Sequence, residues 1–321
     1  MKATALIILN YNGCADTLAC VKSVLEHNSA PVKFAIVDNA SRPEQRQALQ
    51  RGLEDIFGDR LQVASPGQSA LENFATLILN DDNTGYARGN NIGLDAAYAC
   101  PDVEYVMVLN NDVLFVEDII PPLIAKLESL PDCAIISPLL FKSVELKEYD
   151  VNCARRGERV TEIIGKNFLH YWRRLRKRSP QQVYPHRYLL NDCTQTTGVM
   201  EIELPSGSCM LARKDLMREI GSFDPNTFLY YEENILSAKI SALGKKNYLS
   251  FDQRCVHLGA VTTSSSSGLF INKVGMDSQR YYVRNYTSAG PVLRALHRFS
   301  THFFILSLRL QKALAPSKNK K

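Results

Sequence analysis

The chain holds eight cysteines but no C-x-x-C pair. That spacing excludes the usual zinc-ribbon pattern and argues against a disulfide framework, so a reduced cytoplasmic setting is expected. No apolar run approaches the ~18 residues that span a bilayer. No charged-then-apolar leader precedes the first apolar segment, so no secretory targeting is expected. Neither the dinucleotide fingerprint nor a Walker A sequence occurs, which removes the two commonest phosphate-binding glycine loops. There is no internal repeat, and no low-complexity run beyond Ser264 to Ser267.

Hydrophobic residues make up 45% and charged residues 22%, ordinary values that exclude a disordered chain. At 321 residues there is room for one large domain or two small ones. The apolar runs Ala3 to Leu9, Lys33 to Val37, Ala75 to Leu79 and Tyr105 to Leu109 are too continuous for half-exposed strands. Helical spacing follows them: Leu18, Val21 and Leu25, then Leu49, Leu53 and Ile56, then Ile92 and Ala96. Alternating strand and helix predicts an α/β fold with a parallel sheet covered on both faces. Ala134 to Ile136 and the segment through Tyr248 and Leu249 predict further strands.

All four early strands end in polar clusters: Asn10 to Gly13, Asp38 to Ser41, Asn80 to Asn83, and Asn110 to Asp112. One such end is an ordinary turn, whereas four in succession imply a site, because ligands of open α/β sheets bind outside the carboxyl ends of the strands. Asp112, behind the amides of Asn110 and Asn111, either turns the chain and caps the next helix or helps to hold a hard cation with substrate phosphate. Asp38 is either an Asx-turn residue or a hydrogen-bond partner for a ribose or base. Thr84 to Asn91 reads as a glycine-containing loop, with backbone amides and Arg88 near phosphate, leading into a helix.

The second half opens with a basic run, Arg155 to Arg178, densest from Tyr171 onward and holding the single tryptophan. It is either a solvated face or a surface for anionic lipid or a pyrophosphate-linked acceptor; no nucleic-acid motif accompanies it. Pro205 to Arg213 is a small-residue strand in which Gly207, between Ser206 and Ser208, permits close ligand approach. Glu232 and Glu233 follow an aromatic run at a helix start. They either complement the helix dipole or place a proton acceptor at a pocket mouth, with Glu233 preferred. His257 is structural or a ligand. Arg284 either pairs with phosphate or stabilises the fold. From Pro291 an apolar stripe through Val292, Leu296, Phe299, Phe303, Leu306 and Leu310 has Arg294, Arg298, Arg309 and Lys312 off it, and Pro316 ends it. It suits a membrane-surface helix, or one packed on the core or on a second subunit as a homodimer.

Four segments together, Ile8 to Gly13, Val37 to Ser41, Asn83 to Gly93 and Leu109 to Val113, resemble the successive signatures of glycosyltransferase family 2 in order and spacing. They are most similar to its rhamnosyltransferase-like branch, which builds bacterial cell-surface polysaccharide. The resemblance covers roughly the first 290 positions, with 146–191 poorly matched. It implies the A-type glycosyltransferase fold and inverting transfer from a nucleoside-diphosphate sugar (thymidine-diphosphate rhamnose or a uridine-diphosphate sugar) to a glycan or lipid-linked acceptor. The chain is read as a single α/β domain with a donor-binding half, 1–112, and an acceptor-binding half, 113–262, followed by a C-terminal helical extension, 263–321.

By the same resemblance Asp112 is the last acid of the metal motif, with Asn110 at the position of its first acid, and His257 joins it as a ligand of Mg2+ or Mn2+. Glu233, or its neighbour Glu232, is the base. Asn10, Asn12, Asp38, Asn83, Gly85, Arg88, Asn90, Asn111, Ser206, Gly207 and Arg284 are donor-binding candidates. The family's second helix acid is replaced by Ile235. Two rivals stand beside this reading: another nucleotide-sugar enzyme, which would need a basic glycine loop that Asn10 to Gly13 lacks, and a nucleotide- or membrane-binding protein without turnover, which that departure and Asn110 keep open. Peripheral placement on the inner face of the membrane follows if the basic surfaces meet lipid.

Overall fold

A computed structural model of the chain describes residues 2–68, 71–150, 153–175, 195–259 and 268–314. The strands are β1 (Ala3–Asn10), β2 (Val32–Asn39), β3 (Leu61–Ala64), β4 (Ala75–Asn80), β5 (Val103–Asn110), β6 (Val113–Phe115), β7 (Cys133–Phe141), β8 (Val199–Ile202), β9 (Cys209–Arg213) and β10 (Lys246–His257). The helices are α1 (Cys14–His27), α2 (Pro43–Phe57), α3 (Gly85–Ala99), α4 (Ile120–Ser129), α5 (Val160–Leu175), α6 (Lys214–Glu219), α7 (Glu232–Ala242), α8 (Gly268–Asn285) and α9 (Pro291–Leu314).

One ten-stranded sheet runs β3-β4-β2-β1-β5-β9-β7-β10-β6, with β8 also on β10. β3, β4, β2, β1 and β5 are mutually parallel, as are β7 and β10; β9, β6 and β8 run antiparallel to their neighbours. The sheet is thus mixed α/β with helices on both faces, and C-terminal helices follow it. β3 and β8, four residues each, are too short to show any period in the sequence.

Alternation along the strands divides the core. Leu6 and Ile8, Phe34 and Ile36, and Met107 and Leu109 face one apolar cluster with α1, α2 and α4. Ala5 and Ile7, Ala35 and Val37, and Val106 and Val108 face the other, with α3, α6 and α7. Truncating a buried aromatic such as Phe34 to alanine costs about 3–5 kcal/mol, so each face contributes heavily to stability.

The segment expected as a phosphate loop is helix from Gly85 onward. Its glycines serve packing. A Cβ on Gly93 would meet Ile7 Cγ2 at 2.6 Å, and one on Gly89 would meet the Leu9 side chain, so the pair lets α3 lie close on β1. Its first amides are already used: Gly85 N–H donates to Asn83 Oδ1 (3.1 Å) and Tyr86 N–H to the Phe228 carbonyl (2.8 Å).

Among the described residues no helix is long and apolar enough to cross a membrane. The first part of the basic run is ion-paired, Arg156 with Glu162 and Lys166 with Glu158. Its densest part, Tyr171 to Arg178, lies outside the described side chains, as do Lys312 and Pro316.

Candidate active site

Register brings the polar strand ends into one line. Asn10 stands opposite Asp38, Asn39 opposite Asn80, and Leu9 opposite Asn110. Outside this edge lies a cavity of about 640 Å³, lined by strand-end residues (Asn39, Asn110, Asn111, Asp112), by Asn83, Gly85 and Tyr86, by His257, and by aromatics Phe228, Tyr230 and Phe270.

Several predicted residues are spent on bonds to one another, and of these only Asn111 lines the cavity. Asn10 is fully buried and donates from Nδ2 to Asp38 Oδ1 (2.8 Å) and Ser41 Oγ (3.1 Å), while its Oδ1 accepts from Thr17 Oγ1 (2.9 Å). Asn111 Nδ2 donates to the Gly13 carbonyl (3.2 Å) and Thr17 Oγ1 (3.1 Å). Asp38 Oδ2 accepts from Arg46 Nε at 2.7 Å. Asn12, in left-handed backbone at φ 57°, accepts from Arg42 N–H through Oδ1 (2.8 Å). A buried polar knot of this kind holds two strand ends and the start of α1 in one geometry.

The cation-like corner comes from β5, β6 and β10. β6 begins directly after Asp112 and pairs antiparallel with β10, setting Val113 opposite His257. A register shift in β10 between Ser250 and Arg254 lets that strand bend while continuing to the site. His257 Nε2 then lies 3.3 Å from Asp112 Oδ1, and Nδ1 meets Asp150. Ser208 Oγ is 3.3 Å from Nε2, and Asn110 Nδ2 donates to Ser208 Oγ (3.2 Å). Burial opposes charge on the imidazole, yet the hydrogen bonds and charges of Asp112 and Asp150 outweigh it, leaving His257 pushed up to about 9.

The donor set suits a divalent cation in one respect. Asp150 pins one ring nitrogen, so the other is directed beside a carboxylate, the arrangement in which an outer carboxylate orients a ligating imidazole. Among the described residues no group of three His, Cys, Asp or Glu is spaced to hold a metal unaided. The remaining ligands would be substrate phosphate and water. Asp150 was not found from the sequence, because a lone aspartate beyond β7 carries no motif.

The acid pair opens α7 after two consecutive left-handed tyrosines, Tyr230 (φ 71°) and Tyr231 (φ 72°). Bulky residues adopt this region only under constraint, at about 1–3 kcal/mol each, and such strain clusters at functional sites. Glu232 is 2% exposed, and burial together with the Glu233 charge pushes it up to about 8. Glu233 is only partly buried; desolvation raises it as well, while backbone hydrogen bonding at Gly207 opposes the rise. Tyr86 Oη donates to the Gly207 carbonyl at 2.6 Å, so Gly207 lies between Glu233 and a wall of the cavity. Ser206 Oγ accepts from Ser208 N–H (3.2 Å), which shapes that turn.

Three candidates are not brought to the cavity. Arg88 Nε donates to the Pro225 carbonyl (2.7 Å), Asn90 Nδ2 to the Tyr86 carbonyl within α3 (3.0 Å), and Arg284 lines a separate cavity between α8 and α9. The first two sit on α3, Arg88 turned to the loop at Pro225 and Asn90 fully buried one turn after Tyr86. Tyr86 and the tyrosine pair were not singled out, although Tyr86 lies within the Asn83 to Gly93 signature and the pair within the aromatic run before Glu232.

The profile described as "Glycosyl transferase family 2" matches residues 5–189, more than half of the 321 residues. The mannosyltransferase PcManGT from Pyrobaculum calidifontis, solved with GDP-Man and Mn2+, superposes with a TM-score of 0.53 at 13% identity, over 98% of this chain and 76% of that one. GalNAc-T7, solved with UDP, GalNAc and Mn2+, superposes with a TM-score of 0.56 at 14% identity, over 98% of this chain and 57% of that one. At these identities the likeness concerns the fold. No curated protein sequence matches the chain.

Proposed function

The chain belongs to glycosyl transferase family 2, and from that premise we propose that it is an inverting, metal-dependent transferase. It uses a nucleoside-diphosphate sugar, thymidine-diphosphate rhamnose or a uridine-diphosphate sugar, and a glycan or lipid-linked acceptor of cell-surface polysaccharide. Its donor half spans 1–112 and its acceptor half 113–262. The observation that carries the reading is convergence: Asp112 and His257 line the strand-end cavity, and Glu233 stands behind one of its walls.

Asn39, Asn83 and the cavity aromatics bind and orient the donor nucleotide, over the floor braced by Asn10, Asp38 and Asn111. Asp112 and His257 would hold Mg2+ or Mn2+, and the fold neighbours solved with Mn2+ support a divalent metal. When bound, that ion supplies charge neutralisation to the departing diphosphate.

Glu233 takes the proton of an acceptor hydroxyl as its oxygen attacks the anomeric carbon. The carbon–oxygen bond to the diphosphate breaks, and the nucleoside diphosphate leaves with the electron pair. Raised proton affinity suits a carboxylate to this role near neutral pH. Glu232, tightly enclosed, braces the helix start. The aromatic wall excludes water, and holding both sugars in line lowers the entropic part of the barrier.

The test is Glu233→Gln, assayed by donor binding and single-turnover transfer. The reading expects unchanged donor affinity with turnover lowered by about 10²–10⁴-fold. Turnover unaffected by the exchange would remove Glu233 from the chemistry, and a protein that binds donor but transfers no sugar in either form would be a binder.

A further inference from the structure

The C-terminal helix has a buried face and an apolar stripe. The buried face packs inward through His297, Ser300, Thr301, Phe304 and Leu308. The other face is the stripe read from the sequence: Phe299 and Phe303 lean on Phe168 of α5 (ring centroids 6.0 and 5.3 Å apart), while Val292 is 79% exposed and Leu306 and Leu310 54% each. At 100° per residue the stripe falls between the inward face and a third, cationic face bearing Arg294, Arg298 and Arg309.

That cationic face closes a cavity of about 610 Å³ with Arg280 and Arg284 of α8. Arg280 is paired with Asp277. Among the described residues Arg284, Arg294 and Arg298 make no ion pair. Asp277 is also the last acid in the sequence, and nine lysines and arginines follow it. His297, at the cavity floor, adds no charge: burial and the neighbouring Arg280 lower it to about 4, and its Nε2 is spent on Gln279 Oε1 (3.0 Å).

We propose that the α8–α9 edge is a docking surface for an anionic lipid bilayer, with the Val292–Leu310 stripe in the interface and lipid phosphates received by Arg284, Arg294 and Arg298. Charge decides the occupant. A second copy pairing through the same stripe would bring side by side two C-terminal helices that carry arginines and no acid, which is repulsive. An anionic bilayer complements the arginines and accepts the apolar stripe, the pattern of a helix lying in the membrane plane. Arginine's planar fork suits phosphate oxygens. The surface is joined to the active site through α8, whose start supplies Phe270 and Ile271 to the strand-end cavity. From Ile271 to Arg284 the helix advances about 20 Å at its usual rise. The inference stands apart from the transferase reading, since vesicle binding needs no turnover.

The test is flotation of the full chain with phosphatidylcholine vesicles, with and without phosphatidylglycerol. Wild type is expected to float only with the anionic vesicles, and less so at high salt. Arg284→Gln with Arg298→Gln should weaken partitioning about 25-fold, at roughly fivefold per charge near the surface. Phe299→Ser with Leu306→Ser should weaken it about tenfold or more. Arg298→Lys should keep most of the binding. These residues are exposed, and an unchanged melting curve checks that the variants fold. Equal flotation with neutral vesicles, no flotation at all, or binding indifferent to both double variants would overturn the proposal. So would a vesicle-free dimer dispersed by Phe299→Ser, or arginine-dependent binding of inorganic pyrophosphate by a chain that ignores vesicles.

Discussion

Replacing Gly207 by alanine puts a methyl group against the Glu233 carboxylate, with Glu233 Cδ at 3.1 Å and Tyr86 Oη at 3.3 Å. Gly207 is outside the left-handed region, so alanine can adopt its backbone. The clash falls on the end of a rotatable side chain, which can retreat. Stability should therefore change by only about 1 kcal/mol. To reach an ordinary contact distance the carboxylate must move by about 1 Å or more. A displacement of that size in a reacting group costs about 10²-fold in rate. The expected outcome is kcat lower by about 10²-fold, with donor Kd nearly unchanged. A double-mutant cycle isolates the cause: combined with Glu233→Ala, the alanine at 207 should add almost nothing, because the group it displaces is gone. Full activity in Gly207→Ala, or independent losses that multiply in the double variant, would refute Glu233 as the base held by this turn.

Asp38→Ala strips Arg46 Nε and Asn10 Nδ2 of a buried partner, and denaturant unfolding should register a loss of about 3–5 kcal/mol; a loss under ~1 kcal/mol would mean the knot relaxes freely. Glu232 rises from its usual 4.5 to about 8 in the fold, so the native state keeps a proton that the unfolded chain releases. Stability should therefore fall as pH rises through that window, and Glu232→Gln should flatten the decline in melting temperature between pH 6 and 8.5; parallel curves would contradict it. Gly85→Ala faces both a φ of +81° and contact with the Phe228 carbonyl. Unfolding should show a cost of about 1–3 kcal/mol, with weaker donor binding because Phe228 is a cavity wall; wild-type values for both would show that the wall is free to move.

The parallel half of the fold was legible because its strands are buried on both faces and so read as unbroken apolar runs. Leu6 to Leu9 and Val106 to Leu109 could hardly be anything else. Antiparallel β9 and the long β10 were visible as apolar segments, but their pairing depends on contacts distant in sequence. The residues from Gly85 to Asn91 misled because glycine marks both loops and close helix packing, and only the neighbouring β1 side chains distinguish the two. At the site, Asp112 and His257 were readable as candidates from their places after strands. Asp150 was not, since it reaches His257 by a chain reversal after Phe141 that no local pattern announces. Arg284 illustrates the converse: its residue type suits phosphate, but α8 carries it to a different cavity.

The central claim is that Asp112 and His257 help bind a nucleoside-diphosphate sugar through a divalent ion. Calorimetry with a panel of such donors, in Mn2+, in Mg2+ and in chelator, tests it most directly for wild type and Asp112→Asn. The account predicts that one donor binds wild type in a metal-dependent manner and that the variant, still folded, binds it no better than wild type does in chelator. Failure of every donor to bind folded wild type, or binding indifferent to both metal and the variant, would contradict it.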